Sequence, residues 1–299
     1  MEADRPGRNW HSHLADQGWN LRGPSHSGQG GGCYNRSDMS VTQHQAVQEQ
    51  FTRTAEAFSG YAERDTSEIL AERVEFAEPS GDDCALDVAC GPGKFVVALA
   101  RRVRFTRGLD LTTEMLRQAR AFQTQSAVQN VAFDLGEAER LPYASGTFDL
   151  VSCQFAFHHL SRPEAALQEM ARVAKPDGRL LIVDSVGPED KAVAARHNEI
   201  ERLRDPSHTV TLDGRSLSTL FEAHGLGIVK QIIRNRPRSF SRWLLRAGIA
   251  PSDTRYHVIR RAMEESMPGD RAGFSARVAG DDLEIVHQES MFLLRKHGG

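Results

Sequence analysis

The sequence predicts an α/β fold built on a mostly parallel sheet with helices on both faces. Three observations point there: short apolar runs alternate with helix-period segments between residues 85 and 184, glycines cluster where the first run ends, and an acidic residue closes the second. Alternation of this kind is the pattern of βαβ units, in which helices cross over between parallel strands.

Residues 1–40 precede the pattern. They hold seven glycines, and Trp10, Trp19 and Tyr34 stand apart from any apolar period, so a disordered extension is expected. Met39, just before the first helical pattern, is a candidate start of the native chain, and a native N-terminal peptide beginning upstream would refute it. From Gln43 to Ala77, Phe51, Ala55, Phe58, Ile69, Leu70 and Val74 recur at helical intervals around a break at Gly60. Residues 41–80 are therefore expected to form a cover of two helices.

The alternation follows in order: strand Ala85–Ala89, helix Lys94–Val103, strand Arg104–Leu111, helix Thr113–Gln123, strand Asn130–Leu135, strand Asp149–Gln154, helix Pro163–Ala174 and strand Arg179–Asp184. Ser161, ahead of Pro163, is placed to cap the helix Pro163–Ala174, and Asp177 with Gly178 supplies a tight turn into the next strand. After Val186 come a charged helix Lys191–Arg204, an R-D-P-S-H stretch, a helix Arg215–His224 and a strand Gly227–Ile233. A basic helical segment, Ser239–Met267, precedes a last strand, Asp282–Leu294. Arg242, Arg246, Arg260 and Arg261 are expected on its solvated face, beside a core stripe of Leu244, Leu245 and Ile259.

Composition narrows the function. Charged residues make up 26% of the chain and nearly cancel, to a formal −3, which removes the basic footprint of a nucleic-acid partner. No apolar run is long enough to span a membrane and the N-terminus lacks the layout of a signal peptide, so a cytoplasmic location is expected. Cys33, Cys84, Cys90 and Cys153 form no C-x-x-C pair and read as reduced, structural thiols. The 12 histidines show no zinc-binding spacing, so no metal is expected.

The chemistry concentrates at the strand ends. Asp87, Val88 and Ala89 run into Cys90-Gly91-Pro92-Gly93 and then a helix, a turn whose glycines admit a ligand close to the backbone and whose helix N-terminus offers free N–H groups. Asp110 ends the second strand, where a carboxylate can accept from both hydroxyls of a ribose. That pair fits a dinucleotide as well as an adenosyl cofactor, although Val96 stands where a G-x-G-x-x-G fingerprint requires its third glycine.

Four ordered motifs, D-V-A-C-G-P-G (Asp87–Gly93), G-L-D-L (Gly108–Leu111), G-E-A-E-R-L-P-Y (Gly136–Tyr143) and V-A-K-P-D-G-R-L (Val173–Leu180), resemble those of class I methyltransferases that use S-adenosyl-L-methionine (SAM). The likeness is to the methyltransferase type 11 group, which includes the ubiquinone and menaquinone C-methyltransferases, and it covers roughly residues 47–185. Glu137 replaces the usual Asp of the third motif and Ala89 a common Gly, at a strand end where a methyl is expected to be tolerated.

The resemblance implies a Rossmann-like, seven-stranded sheet over residues 81–299, with lid insertions at about 187–214 and 236–280, and transfer of a methyl group from SAM to a small-molecule acceptor. It implies that Asp87, Ala89, Gly91 and Gly93 surround the methionine portion, Asp110 the ribose, and Leu111 and Met115 the purine. Glu137 and Ala138 would take the adenine edge and Gln154 the amino-acid end, while Asp149 reads as structural. Where the acceptor must lose a proton, an imidazole serves, and the loop after the fourth strand supplies His159 as first choice and His158 as second, with packing as the alternative for both. Tyr61, Arg204, Asp205 and His208 are the candidates for a substrate lid. A protein of the same fold that binds SAM without transferring methyl, as a cyclase or binding module, is the alternative function. The methylated atom, the acceptor and the oligomeric state stay open.

Overall fold

The computed structural model describes residues 36–60 and 67–297. Helices α1 (Arg36–Gly60) and α2 (Ser67–Phe76) come first. Residues 36–40, assigned to the extension on sequence, are helical instead; residues 1–35 and Tyr61 lie outside the described residues. The alternating region then gives β1 (Cys84–Val88), α3 (Lys94–Ala100), β2 (Phe105–Asp110), α4 (Thr113–Gln125), β3 (Val131–Leu135) and β4 (Phe148–Gln154). A single 3-10 turn (Phe157–His159) leads to α5 (Pro163–Val173) and β5 (Ala174–Ser185). The remainder is α6 (Lys191–Arg204), α7 (Gly214–Ala223), β6 (Leu226–Ser239), α8 (Phe240–Arg246), α9 (Thr254–Ser266), β7 (Arg277–Ala279) and β8 (Asp282–Lys296).

The strands pair in the order β3-β2-β1-β4-β5-β8-β6. The first five run parallel, and β8 is antiparallel to both β5 and β6. Eight strands are present rather than seven, because β7 pairs with the start of β8 in a hairpin turned at Gly280. Three residues carry too little periodicity for a sequence pattern to register them. β1 is buried along its whole length, as a central parallel strand covered on both faces must be. Its neighbours β2 and β4 are reached by connections in opposite directions, which opens a crevice beyond the carboxyl ends of the strands.

Two local expectations are corrected. Ser161 does not cap α5; its hydroxyl donates to Glu139 Oε1 at 3.1 Å, and the helix starts on Pro163. The basic segment 239–267 is two helices, because Gly248 takes a left-handed φ of 74° and Asp253 caps a new helix through the Arg255 N–H. The break turns Arg246 inward, where it is buried, and leaves Leu245 40% exposed. Asp149 is structural as expected, accepting from the Cys84 N–H at 2.9 Å and pairing with Lys175 at 2.6 Å.

The helices that follow β5 have a core of their own. Ile200 of α6, Trp243 and Leu244 of α8, and Ile259 and Met263 of α9 pack with Phe274, Leu283 and Ile285. Among the described residues no helix is long and apolar enough to cross a membrane.

Candidate active site

The turn after β1 shapes the site. Ala89, Gly91 and Gly93 all take left-handed φ values, of 56°, 53° and 74°. For Ala89 that conformation costs about 1–2 kcal/mol, so the usual glycine there answers a backbone demand and the alanine is strained rather than merely tolerated. A Cβ on Gly91 would meet no atom within 4 Å and would project into open cleft. Gly93 serves packing: a Cβ there would lie 2.9 Å from Ala119 and 3.0 Å from the Phe133 ring, and the residue does not line the cleft.

Asp110, at the end of β2, accepts from the Gly91 N–H and the Thr112 N–H, both at 2.8 Å. Burial raises its pKa against the pull of those two donors. On the other side of β1, Asp87 accepts from Ser152 Oγ at 2.6 Å. At the end of β4 the amide Nε2 of Gln154 is buried in the cleft wall with no hydrogen-bond partner among the described residues. Buried donors are nearly always satisfied, so this one marks a place for a ligand acceptor.

Together with Leu111, Met115, Glu137 and Ala138 these groups line a cleft of about 1200 Å³ that is open to solvent. α1 crosses it: Val47 and Phe51 face the cleft, Gln48 donates to the Leu111 carbonyl at 3.1 Å, and His44 Nδ1 stands 3.8 Å from Glu137. Glu139, within the third motif, is buried and accepts from Arg162 Nη2 at 2.7 Å and from the Arg162 N–H at 3.1 Å, which ties the loop after β3 to the loop after β4.

Of the two histidines of that second loop, His159 lines the cleft and a second, smaller cavity, and His158 only the smaller one. His159 lines the cofactor cleft, its ring edge-on to Phe51 at 5.0 Å and its Nδ1 3.1 Å from the Ser207 carbonyl. Burial, with His158 adding to it, lowers the His159 imidazole to about 4. His158 turns away from the cleft and holds Asp184, on β5, through Nδ1 at 2.6 Å. A carboxylate partner requires a proton on Nδ1, and Nε2 makes no hydrogen bond among the described residues. Burial works to raise the pKa of Asp184, but the imidazole beside it holds the carboxyl below the usual range.

His158 lines a smaller, inner chamber that shares Phe51, Phe155, His159 and Arg246 with the cleft. Gln50 and Thr54 of α1, Arg204 and Asp205 at the end of α6, and Trp243 and Ala247 at α8 complete its wall. Arg204 pairs with Glu201 at 3.0 Å and lies 4.9 Å over the Trp243 ring. Asp205 accepts from both the hydroxyl and the N–H of Ser207, at 2.6 and 2.9 Å. His208 lines neither cavity; it bonds Asn198 through Nε2 at 2.8 Å, and burial lowers its pKa to about 3. Gln43 of α1 joins the parts, donating to the carbonyls of His159 and Ser207 at 2.9 and 2.7 Å. Trp243 and Asp184 escaped the sequence reading, and Arg246 was expected on a solvated face, because nothing local marks residues brought together by chain packing.

Comparison with known proteins matches residues 86–182 to the family model described as a methyltransferase domain. The uncharacterized methyltransferase YcgJ of Bacillus subtilis is 34% identical over 209 residues, which span 70% of this chain and 82% of that protein. Its crystal structure covers 77% of this chain and 98% of its own, with a TM-score of 0.71 and 29% identity. The ubiquinone/menaquinone biosynthesis C-methyltransferase UbiE of a Marinomonas species is 32% identical over 121 residues, 39% of this chain and 48% of the relative. The [4+2]-cyclase SpnF shares only the fold, at 18% identity and a TM-score of 0.53 over 78% of this chain and 81% of its own.

Proposed function

Because this chain belongs to the SAM-dependent methyltransferases, we propose that it methylates a small, neutral or anionic organic acceptor in the cytoplasm, with the acceptor seated in the inner chamber. The observation that carries the reading is that Phe51, Phe155, His159 and Arg246 line both cavities, which sets the chamber directly beside the cleft.

The residues of the cleft suit SAM. Asp87 offers an acceptor for the ammonium of the methionine end, Gln154 Nε2 is a buried donor in want of an acceptor, Gly91 leaves room beside the backbone, and Asp110 is poised for the ribose hydroxyls. Leu111 and Met115 would flank the purine, with Glu137 and Ala138 at its edge. The bound cofactor supplies a methyl group that needs no further activation. The work left to the chain is to align the acceptor and exclude water, which the α1 cover and the lid are built to do. His158, oriented by Asp184, would take the acceptor's proton, and His159, kept neutral by burial, would form the wall between the cavities. This reverses the order in which the sequence ranked them. An acceptor with an acidic O–H or C–H fits that arrangement.

Titration calorimetry with S-adenosylhomocysteine and with NAD tests the premise, followed by an acceptor screen with methyl-labelled SAM. Saturable binding of the first ligand only is expected, with methylated product in the screen. Asp110→Asn should weaken binding about 10- to 100-fold, since hydrogen bonds to a charged group contribute about 1.5–3 kcal/mol. Absence of saturable binding would overturn the reading, and binding without turnover on any acceptor would favour a protein that holds SAM without transferring its methyl.

A further inference from the structure

Arg204 closes α6 and stands in the wall of the inner chamber, its side chain 15% exposed. Its Nε donates to Glu201 Oε2 at 3.0 Å, and the other oxygen of that buried carboxylate lies 3.3 Å from His287 Nε2 of β8. The strand thus fixes the carboxylate, and the carboxylate fixes the guanidinium. The face of that group lies 4.9 Å over the ring of Trp243, which is itself packed in a core with Phe274 and Leu283. Among the described residues the terminal nitrogens Nη1 and Nη2 have no hydrogen-bond partner, and neither is sealed from solvent.

Glu201 already balances the charge of Arg204, so what the chamber gains is a pair of oriented donors rather than an uncompensated cation. Two N–H groups side by side in a planar fork match the two oxygens of a carboxylate. Their orientation is set before a ligand arrives, which lowers the ordering cost of binding. Phe51, Phe155 and Trp243 add flat apolar walls to the same chamber, and His158 faces it with Nε2. Asp205 stands there too, and its charge disfavours a second anionic group on the ligand. We propose that Arg204 binds a carboxylate of the methyl acceptor through Nη1 and Nη2, so that the acceptor is an aromatic acid with a single carboxylate. The inference rests on the seating of the acceptor in the chamber. Arg246, which lines both cavities, is the rival cation.

Benzoate and benzamide have nearly the same shape and differ in charge at the planar group. Their affinities for the full chain saturated with S-adenosylhomocysteine, read by ligand-observed NMR titration, test the assignment. The wild-type chain is expected to bind benzoate about 10- to 100-fold more tightly, the range for hydrogen bonds to a charged group. Arg204→Gln should bring that preference below about threefold. Its affinity for S-adenosylhomocysteine should stay at the wild-type level, because Arg204 does not line the cleft. Arg204→Lys keeps the charge and loses the fork, so it should give a smaller preference than wild type, and it carries the test if the glutamine variant does not fold. Arg246→Gln should leave the preference unchanged. No binding of benzoate, equal affinity for the two probes, a preference that survives in the Arg204 variants, or one that collapses with Arg246→Gln would overturn the assignment. So would an acceptor screen whose products all lack a carboxylate. A benzoate preference that depends on Arg204, in a chain that methylates no acceptor, would instead refute methyl transfer while upholding the carboxylate site.

Discussion

In the cleft most of the lining groups that the sequence singled out arise within a few residues of the carboxyl end of a parallel strand: Ala89 and Gly91 after β1, Asp110 and Leu111 at β2, Glu137 after β3, Gln154 at β4. In the inner chamber the wall comes from four distant segments, with Gln50 and Thr54 on α1, the histidine turn, Arg204 and Asp205 at the end of α6, and Trp243 and Arg246 on α8. The cleft is thus held by the sheet, whose register sets the spacing of its groups. The chamber is held by the packing of the helices that follow β5 and by side-chain bonds such as those from Gln43. Cofactor affinity should therefore depend on a few strand-end residues, and acceptor chemistry on contacts between segments far apart in the chain.

The largest effect is expected where the comparison is sharpest. His158→Gln should lower kcat by about 10²- to 10⁴-fold, the range of general acid–base catalysis, while S-adenosylhomocysteine affinity stays within about threefold, because His158 faces only the chamber. Asp184→Asn should fall on the same side, losing turnover and shifting the pH profile. Equal losses of turnover and of cofactor affinity, read by single-turnover kinetics and calorimetry, would erase the distinction between the two cavities.

Acid unfolding is the next effect in size. His159 and His208 are lowered to about 4 and about 3 in the folded chain, whereas an unfolded chain takes up a proton on each near pH 6.5. Stability is therefore expected to fall as pH drops from about 6.5 toward about 4, with a slope approaching 1.4 kcal/mol per pH unit for each ring that stays unprotonated. Asp184, Asp205 and Glu201, all held below the usual carboxylate range, extend the loss to lower pH. Asp110 of the cleft, raised by burial, works in the opposite sense: its contribution is present below the unfolded carboxylate pKa and is lost as pH rises through the folded one. Urea titrations at pH 7, 6 and 5 check this, and His208→Gln should flatten the dependence. A stability indifferent to pH over that range would contradict the neutral, buried histidines.

The smallest effect belongs to the turn after β1. Ala89→Gly relieves about 1–2 kcal/mol of left-handed strain and concedes about 0.4–1 kcal/mol of chain entropy, so the variant should be neutral or more stable by about 1 kcal/mol in urea unfolding. A destabilisation beyond that range would mean that the methyl makes contacts worth more than the strain.

The sheet and the cleft were legible because their demands are local. A strand buried on both faces, left-handed glycines after β1 and a carboxylate closing β2 each leave a mark within a short stretch of sequence, and the β1 turn carries the same message in its residue types and in its φ angles. The chamber was legible only in part. The sequence singled out both histidines, but what distinguishes them, a 3-10 turn that sets His158 against Asp184 of the next strand, leaves no local mark.

What the sequence alone determined is thus the α/β order, the parallel sheet and the strand-end residues that line the cleft. The tertiary structure decided the eighth strand, the division of the basic segment that turns Arg246 inward, the partner that orients His158 and the stacking of Arg204 on Trp243. The reason is one of range: backbone conformation is constrained by a residue and its neighbours, whereas the meeting of side chains from α1, β5, α6 and α8 depends on how separate elements pack, which no short window of sequence records.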